Sequence, residues 1–356
     1  MKSTTRLEAP TKVATVIGTV IDENMWRHAC VFVQQLVSVG TSLPIVIFNL
    51  TALPTGAVTL LHSLGSTVHS LDPPMPMPQE FGSPLLSRPL MTPSGSPVLK
   101  RYAPFAKLAV WGQTRWSKIV LLDVDVMLLH NIDEMGSFPA DTFAPETCNN
   151  VKPERCAPGP SPKITTLGFN AGVMVIGPSA RRFASMSAFA TQHIGALLRA
   201  AKTRNEAADV ENRYLAYPEQ SFLKRYWPIV MKSTIEGGGR TRQGYDWQWR
   251  ESREHGADCT PTSEEGCGTT NFMSRVYNAR PFDCSTNCSK DYLDKVKVVH
   301  FTCSFKPWSA PRSIKPCEAA WTNRWIAAKA AVCERARTLG VEQEAGCVLY
   351  RNSSFG

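Results

Sequence analysis

The sequence has no apolar run near the roughly 18 to 20 residues that a membrane-spanning helix requires, so the chain as written reads as a soluble one. Its nearest approach to a secretory core, Val13 to Ile21, runs straight into Asp22 and Glu23 with no small-residue cleavage site, and reads instead as a buried first strand. No G-x-G-x-x-G follows that strand, which excludes the dinucleotide-binding version of a Rossmann-like sheet. There is no CxxC pair and no paired histidine run, so the four-residue spacing of Cys284 and Cys288 does not make a structural zinc site. Long basic blocks are missing too. Arg240 with Arg242 and Arg250 with Arg253 are short clusters in a chain of net charge +9, the pattern of a solvated basic surface rather than of a nucleic-acid partner. No internal repeat is found.

What is present is the composition of a folded, enzyme-sized body, with 356 residues, 43% of them hydrophobic and 19% charged. The first third alternates β-rich runs with amphipathic stretches: a strand at 13 to 20, a helix from Met25 to Val39, a strand at 44 to 50 and a helix near 54 to 65. Such alternation predicts βαβ units and a mostly parallel sheet flanked by helices. A helix from about 98 to 113 follows, then the short apolar run Lys118 to Leu122, suited to a central strand. Near the end come a strand at 296 to 301 and a helix at about 317 to 337. One catalytic domain over residues 1–337 is expected, with surface inserts at about 73–98, 146–163 and 236–292 and a tail at 338–356.

Eight of the 11 cysteines lie from Cys259 onward, which predicts structural disulfides among residues 259 to 347. Together with the sequons at Asn49, Asn287 and Asn352 they favour a Golgi or secretory lumen, with a cytoplasmic enzyme as the alternative. Attachment to a membrane would then need an anchor outside the sequence or unrecognised within it.

Chemistry concentrates in three segments. In KIVLLDVDVMLLHNID, residues 118–133, a buried strand ends in Asp123-Val124-Asp125. Two acids at the carboxyl edge of an α/β sheet sit where such sheets bind ligands, and they repel unless a divalent cation lies between them. The second segment, Gly168 to Gly177, puts Asn170, Ala171 and Gly172 before another strand, where the asparagine amide can both donate to and accept from sugar hydroxyls. The third, VKVVHFTCSFKPW at 296–308, offers an imidazole at His300 and a cation at Lys306.

In this order the three segments resemble glycosyltransferase family 8, the glycogenin-like retaining transferases with a GT-A fold. The resemblance implies that Asp123, Asp125 and His300 ligate Mn2+, with Mg2+ as the alternative, and that the ion also binds the diphosphate of a UDP-sugar. It further implies donor contacts from Lys107, Asp123, Asn170, Ala171, Gly172, Glu219, Gln220 and Lys306, with Asp125, Gln220 and Lys306 nearest the chemistry. Uracil contacts are expected near Gly18 and Thr19. Two departures stand out: Glu219 where the family usually has aspartate, and Cys303 where it commonly has glycine. Trp227, Trp247, Trp249 and Trp308 are candidates to stack on carbohydrate. The implied activity is transfer of a hexose or hexuronic acid to a glycan, glycolipid or protein acceptor. The alternatives are a nucleotidyltransferase of related fold, for which the basic phosphate loop after the first strand is missing, and a non-catalytic sugar-binding module.

Overall fold

A computed structural model describes residues 15–72, 103–145, 169–203, 218–226, 271–279, 294–302, 306–308 and 316–347, together with Glu206, Ala207 and Val210. The inserts at 73–98 and 146–163, the cysteines from Cys259 to Cys303, and Trp227, Trp247 and Trp249 lie outside the described residues.

Strand β1 (Val16–Ile21), helix α1 (Trp26–Ser38), β2 (Ile45–Asn49), α2 (Thr55–Ser63) and β3 (Ser66–Ser70) form two successive βαβ units. A 3-10 segment, Ala103–Gly112, leads into β4 (Ile119–Leu122) and β5 (Val126–Leu128). After β6 (Thr142–Pro145) and β7 (Phe169–Ile176) come α3 (Ala180–Ala188), a π-helical turn Phe189–Ile194, α4 (Gly195–Ala200) and α5 (Pro218–Tyr226). Then follow β8 (Asn271–Phe272), β9 (Val298–His300) and the long α6 (Pro316–Thr338).

Seven of these strands make one sheet in the order β3-β2-β1-β4-β7-β6-β8. The pairs β1–β2, β2–β3 and β1–β4 are parallel, whereas β7 runs antiparallel to both β4 and β6. The fold is therefore a mixed, mostly parallel α/β sheet. Its chain order turns around at β1: β2 and β3 stack on one side and β4 on the other, and it is beyond the carboxyl ends of strands at such a reversal that open α/β sheets bind ligands.

Alternation along the strands supplies two cores. Ile17, Ile45, Ile47, Val120, Leu122, Val173 and Val175 face α1, α2 and α6. Val16, Val46, Phe48, Ile119, Leu121, Met174 and Ile176 face the 3-10 segment, α3 and α5. Because side chains in a strand point to opposite faces in turn, a run such as Ile119–Leu122 feeds both layers, and each fully buried side chain contributes roughly 1.5–3 kcal/mol.

Residues 271–279, inside the 236–292 span expected as an insert, are part of this body. β8 pairs with β6, and Ala279 bridges to Val299 of β9. Beyond α6 the chain turns back: Cys333 and Cys347 form a disulfide across a sequence separation of 14, Arg27 donates to the Glu344 carbonyl at 2.5 Å, and Lys329 donates to that of Ala345 at 2.9 Å. Among the described residues no helix is long and apolar enough to cross a membrane.

Candidate active site

β4 ends at Leu122, so Asp123 is the first residue past the sheet's carboxyl edge, where its backbone N–H donates to the Gly172 carbonyl at 2.8 Å. That bond exists because β7 runs antiparallel to β4, with Leu122 opposite Val173, and this brings the start of β7 to the end of β4. Three residues on, at Val126, the chain enters β5. There Val126 pairs with His300, and the Phe301 N–H donates to the Asp125 carbonyl at 3.0 Å. The antiparallel β5–β9 ribbon thus fastens His300 beside the acid pair.

His300 Nε2 lies 3.2 Å from Asp125 Oδ1 and 3.8 Å from Asp123 Oδ2, and one ligand atom from each of the three residues falls within 4.8 Å of the others. Lys306 Nζ donates to the other oxygen of Asp125 and to the Phe301 carbonyl at 2.6 Å. On the far side, Lys107 Nζ donates to Asp123 Oδ1 at 2.7 Å and to Glu219 Oε1 at 3.0 Å. Glu219 and Gln220 open α5, and Gln220 Oε1 accepts from the Ala171 N–H at 3.3 Å and stands 3.5 Å from Asn170 Nδ2. Asn170 Oδ1 accepts in turn from the Gly172 N–H at 2.8 Å. The structure therefore gathers all ten residues expected at the centre around one point on the sheet edge.

Electrostatics separates the two acids. Burial acts to raise both carboxyls, and for Asp123 it prevails with the help of the neighbouring Asp125 charge, although Lys107 pulls the other way. For Asp125, His300 and Lys306 override burial and hold the group well below the usual carboxylate range. Lys107 is pushed down by burial but more strongly up by Asp123 and Glu219, so it stays a cation.

These residues fit a divalent cation on an observation independent of any motif. Asp125 Oδ1 is buried, and the one polar group facing it is the His300 ring nitrogen at 3.2 Å, so when that nitrogen carries no hydrogen the charged oxygen is left for a cation to complete. Gly172 leaves the room that the ring needs, since a Cβ there would stand 2.0 Å from His300 Cε1.

Some positions behave otherwise than as open sugar contacts. Trp308 stacks on His28 with ring centroids 3.8 Å apart and tilts toward Trp325, which makes it a wall of the body. Thr19 is buried in β1 with its Oγ1 unpartnered. The Asn49 amide is engaged, donating to the Thr51 carbonyl at 2.9 Å with its oxygen buried, so this sequon is not presented as a free amide. One functional-looking residue had no sequence signal: Asn278, whose Oδ1 stands 2.9 Å from His300 Nδ1.

An acid pair, an imidazole and two lysines thus meet at the switch point of such a sheet, an arrangement suited to an anionic, metal-bound ligand. The family model for glycosyl transferase family 8 matches residues 16–311, and the chain belongs to that family. The protein is accordingly a glycosyltransferase with a GT-A fold, and the nucleotidyltransferase alternative is set aside. Solved structures resemble it distantly. A galactosyltransferase, LgtC, in complex with donor and acceptor sugar analogs is 15% identical with a TM-score of 0.47, over 90% of this chain and 96% of that one. GlyE of Streptococcus pneumoniae is 13% identical with a TM-score of 0.47, over 92% of this chain and 65% of that one. Mouse xyloside xylosyltransferase 1 is 14% identical with a TM-score of 0.41, over 84% of this chain and all, 100%, of that one. None of the curated proteins matches this chain.

Proposed function

We propose that the protein is a retaining, metal-dependent transferase that moves a hexose or hexuronic acid from a UDP-sugar to a glycan, glycolipid or protein acceptor. The observation that carries this reading is the convergence of Asp123, Asp125 and His300 beside Lys306, with one ligand atom from each of the three within 4.8 Å of the others. Asp123, Asp125 and His300 would hold the ion, Mn2+ or Mg2+. When bound, it supplies Lewis-acid stabilisation of the departing diphosphate.

The chain's own residues do the rest. Lys306 brings a second positive charge to the developing diphosphate, an interaction that strengthens as the sugar–oxygen bond breaks. Lys107 orients Asp123 and Glu219 through its two hydrogen bonds, and Gln220 with Asn170 and the Ala171 N–H line the place for the donor sugar. Uracil contacts in this reading lie near Gly18 and Thr19, the buried middle of β1, and so at the strand's carboxyl end rather than on these two side chains. Glu219 is already engaged by Lys107, and Gln220 carries an amide, so neither offers a free carboxylate for a covalent sugar intermediate. Same-face substitution with retention follows. The cysteine-rich composition, the sequons at Asn287 and Asn352 and the Cys333–Cys347 pair support a secretory or Golgi lumen.

A screen of UDP-sugars for metal-dependent release of UDP, with and without candidate acceptors, tests the activity, and proton NMR of the first product reads the anomeric outcome. In the same assay Asp125→Asn, which keeps shape and removes charge, should lose Mn2+ and donor affinity together while the protein stays folded. Turnover by that variant at the wild-type rate would remove the assignment.

A further inference from the structure

An imidazole can ligate a cation only through a nitrogen that carries a lone pair, and a neutral ring has one such nitrogen and one N–H. Which nitrogen is which depends on the partner of the other. At His300 that partner is Asn278: its Oδ1 lies 2.9 Å from Nδ1, and both side chains are buried, Asn278 at 1% and His300 at 3% exposure.

We propose that Asn278 is the positioning residue for His300, fixing the tautomer in which Nδ1 carries the hydrogen and the bare Nε2 faces the two aspartates. The proposal rests on the metal reading above and extends it to a residue that never meets the substrate. With the Asn278 oxygen accepting from Nδ1–H on a neutral ring, the Nε2 lone pair, Asp125 Oδ1 at 3.2 Å and Asp123 Oδ2 at 3.8 Å converge as three acceptors that a divalent cation would satisfy. If the amide were turned to offer Nδ2, the ring hydrogen would move to Nε2 and block the ligand position. Metal-binding histidines generally give their second N–H to an oxygen in this manner, and loss of the oxygen costs affinity.

The backbone explains why Asn278 can do this reliably. Residues 276–279 are zipped alongside β9: Lys297 N–H donates to the Val276 carbonyl at 2.8 Å, Ala279 N–H to that of Val298 at 2.9 Å, and His300 N–H to that of Ala279 at 2.7 Å. The amide and the ring it holds therefore share one ladder, and neither moves without the other. On the ring's remaining flank the bare Gly172 backbone, where a Cβ would lie 2.0 Å from Cε1, leaves one place for the imidazole.

The test uses the whole chain, metal-free at the start, in four versions: wild type, Asn278→Leu, Asn278→Asp and Asp125→Asn. Mn2+ is titrated calorimetrically, and the 15N shifts of His300, picked out by comparison with His300→Gln and recorded at a pH where the ring is neutral, report the tautomer before metal is added. Asn278→Leu should weaken Mn2+ binding by about ten- to a hundredfold, whereas Asn278→Asp, which keeps an acceptor in place, should match or exceed the wild type. The wild-type spectrum should show hydrogen on Nδ1 and a bare Nε2. Equal losses in the Leu and Asp variants would reveal a packing role and overturn the proposal, as would hydrogen found on Nε2 in the wild type. Should Asn278→Leu fail to fold, the wild-type tautomer and the Asp variant still decide. Equal Mn2+ binding by the wild type and Asp125→Asn would instead sink the metal reading, a different failure seen in a different variant.

Discussion

Lys306 shows how one side chain serves two states of the site. In the structure its ammonium answers the Asp125 carboxylate and the Phe301 carbonyl, which keeps a buried negative group balanced and the lysine extended toward the crevice. In the proposed function a donor diphosphate would meet a cation already in place, at little cost in reorganisation. Lys306→Ala should then lower the turnover number by on the order of a hundredfold or more, with a smaller change in donor affinity, because the charge it stabilises grows only in the transition state. Mn2+ affinity of the same variant should hold or rise, since a competing cation leaves Asp125. A steady-state analysis paired with a Mn2+ titration separates the two, and a loss confined to donor affinity would place Lys306 in ground-state binding.

At the scale of elements, the Lys306–Trp308 segment is held by α1 and α6 rather than by the sheet. His28 of α1 lies flat against Trp308, and burial, reinforced by the Lys329 and Arg27 charges, pushes its imidazole down to about 4. In the unfolded chain the same ring takes up its proton below its ordinary 6.5. The folded state binds fewer protons between these values, so the stability that His28 contributes is present at neutral pH and is lost as pH falls from 6.5 toward 4. Replacement by phenylalanine keeps a flat ring on Trp308 and removes the titration. Urea unfolding at pH 7 and pH 4.5 should show the wild type losing on the order of 2 kcal/mol more than His28→Phe. Parallel losses in the two proteins would show that the ring does not titrate in this window.

The strands and helices that the sequence announces are those with strong apolar signals: the run before Asp123 became β4, and Met25 to Val39 became α1 within a residue at each end. β3, Ser-Thr-Val-His-Ser, escaped because an edge strand buries little and here carries polar residues. The β8 pairing and Asn278 escaped for another reason. They lie in a stretch whose composition reads as loop, and their place is set by ladder partners on β6 and β9 that no local pattern encodes. Asp123, Asp125 and His300 were legible because each ends an apolar run. Lys107 and Glu219 were legible only through family resemblance, and their joint contact with Asp123 was not foreseen.

For the whole molecule, the chain's last described turn is fastened to its first helix. Cys333 and Cys347 close a short loop at the end of α6, and the residues inside it reach Arg27 of α1. A cross-link of this span restricts the unfolded chain by an amount worth about 3 kcal/mol, less any strain it introduces. Cys347→Ser should lower Tm by several degrees under oxidising conditions, and the gap should close when wild type is reduced. Equal Tm values without reductant would mean that the bond does not form in solution.

The site also carries a timetable. Lys306 and Asp125, which touch in the finished protein, are 181 positions apart, and His300 reaches the acids only through a strand added near the end of the chain. Contacts of such range close late, because the intervening chain must first be ordered. A growing polypeptide holds Asp123 and Asp125 side by side before His300 and Lys306 have been made, so in the proposed reading a metal ion would find only two of its three ligands. It would then act as a seal on a molecule already assembled rather than as a seed for its folding, and a chain halted before β9 would lack the imidazole that completes the site.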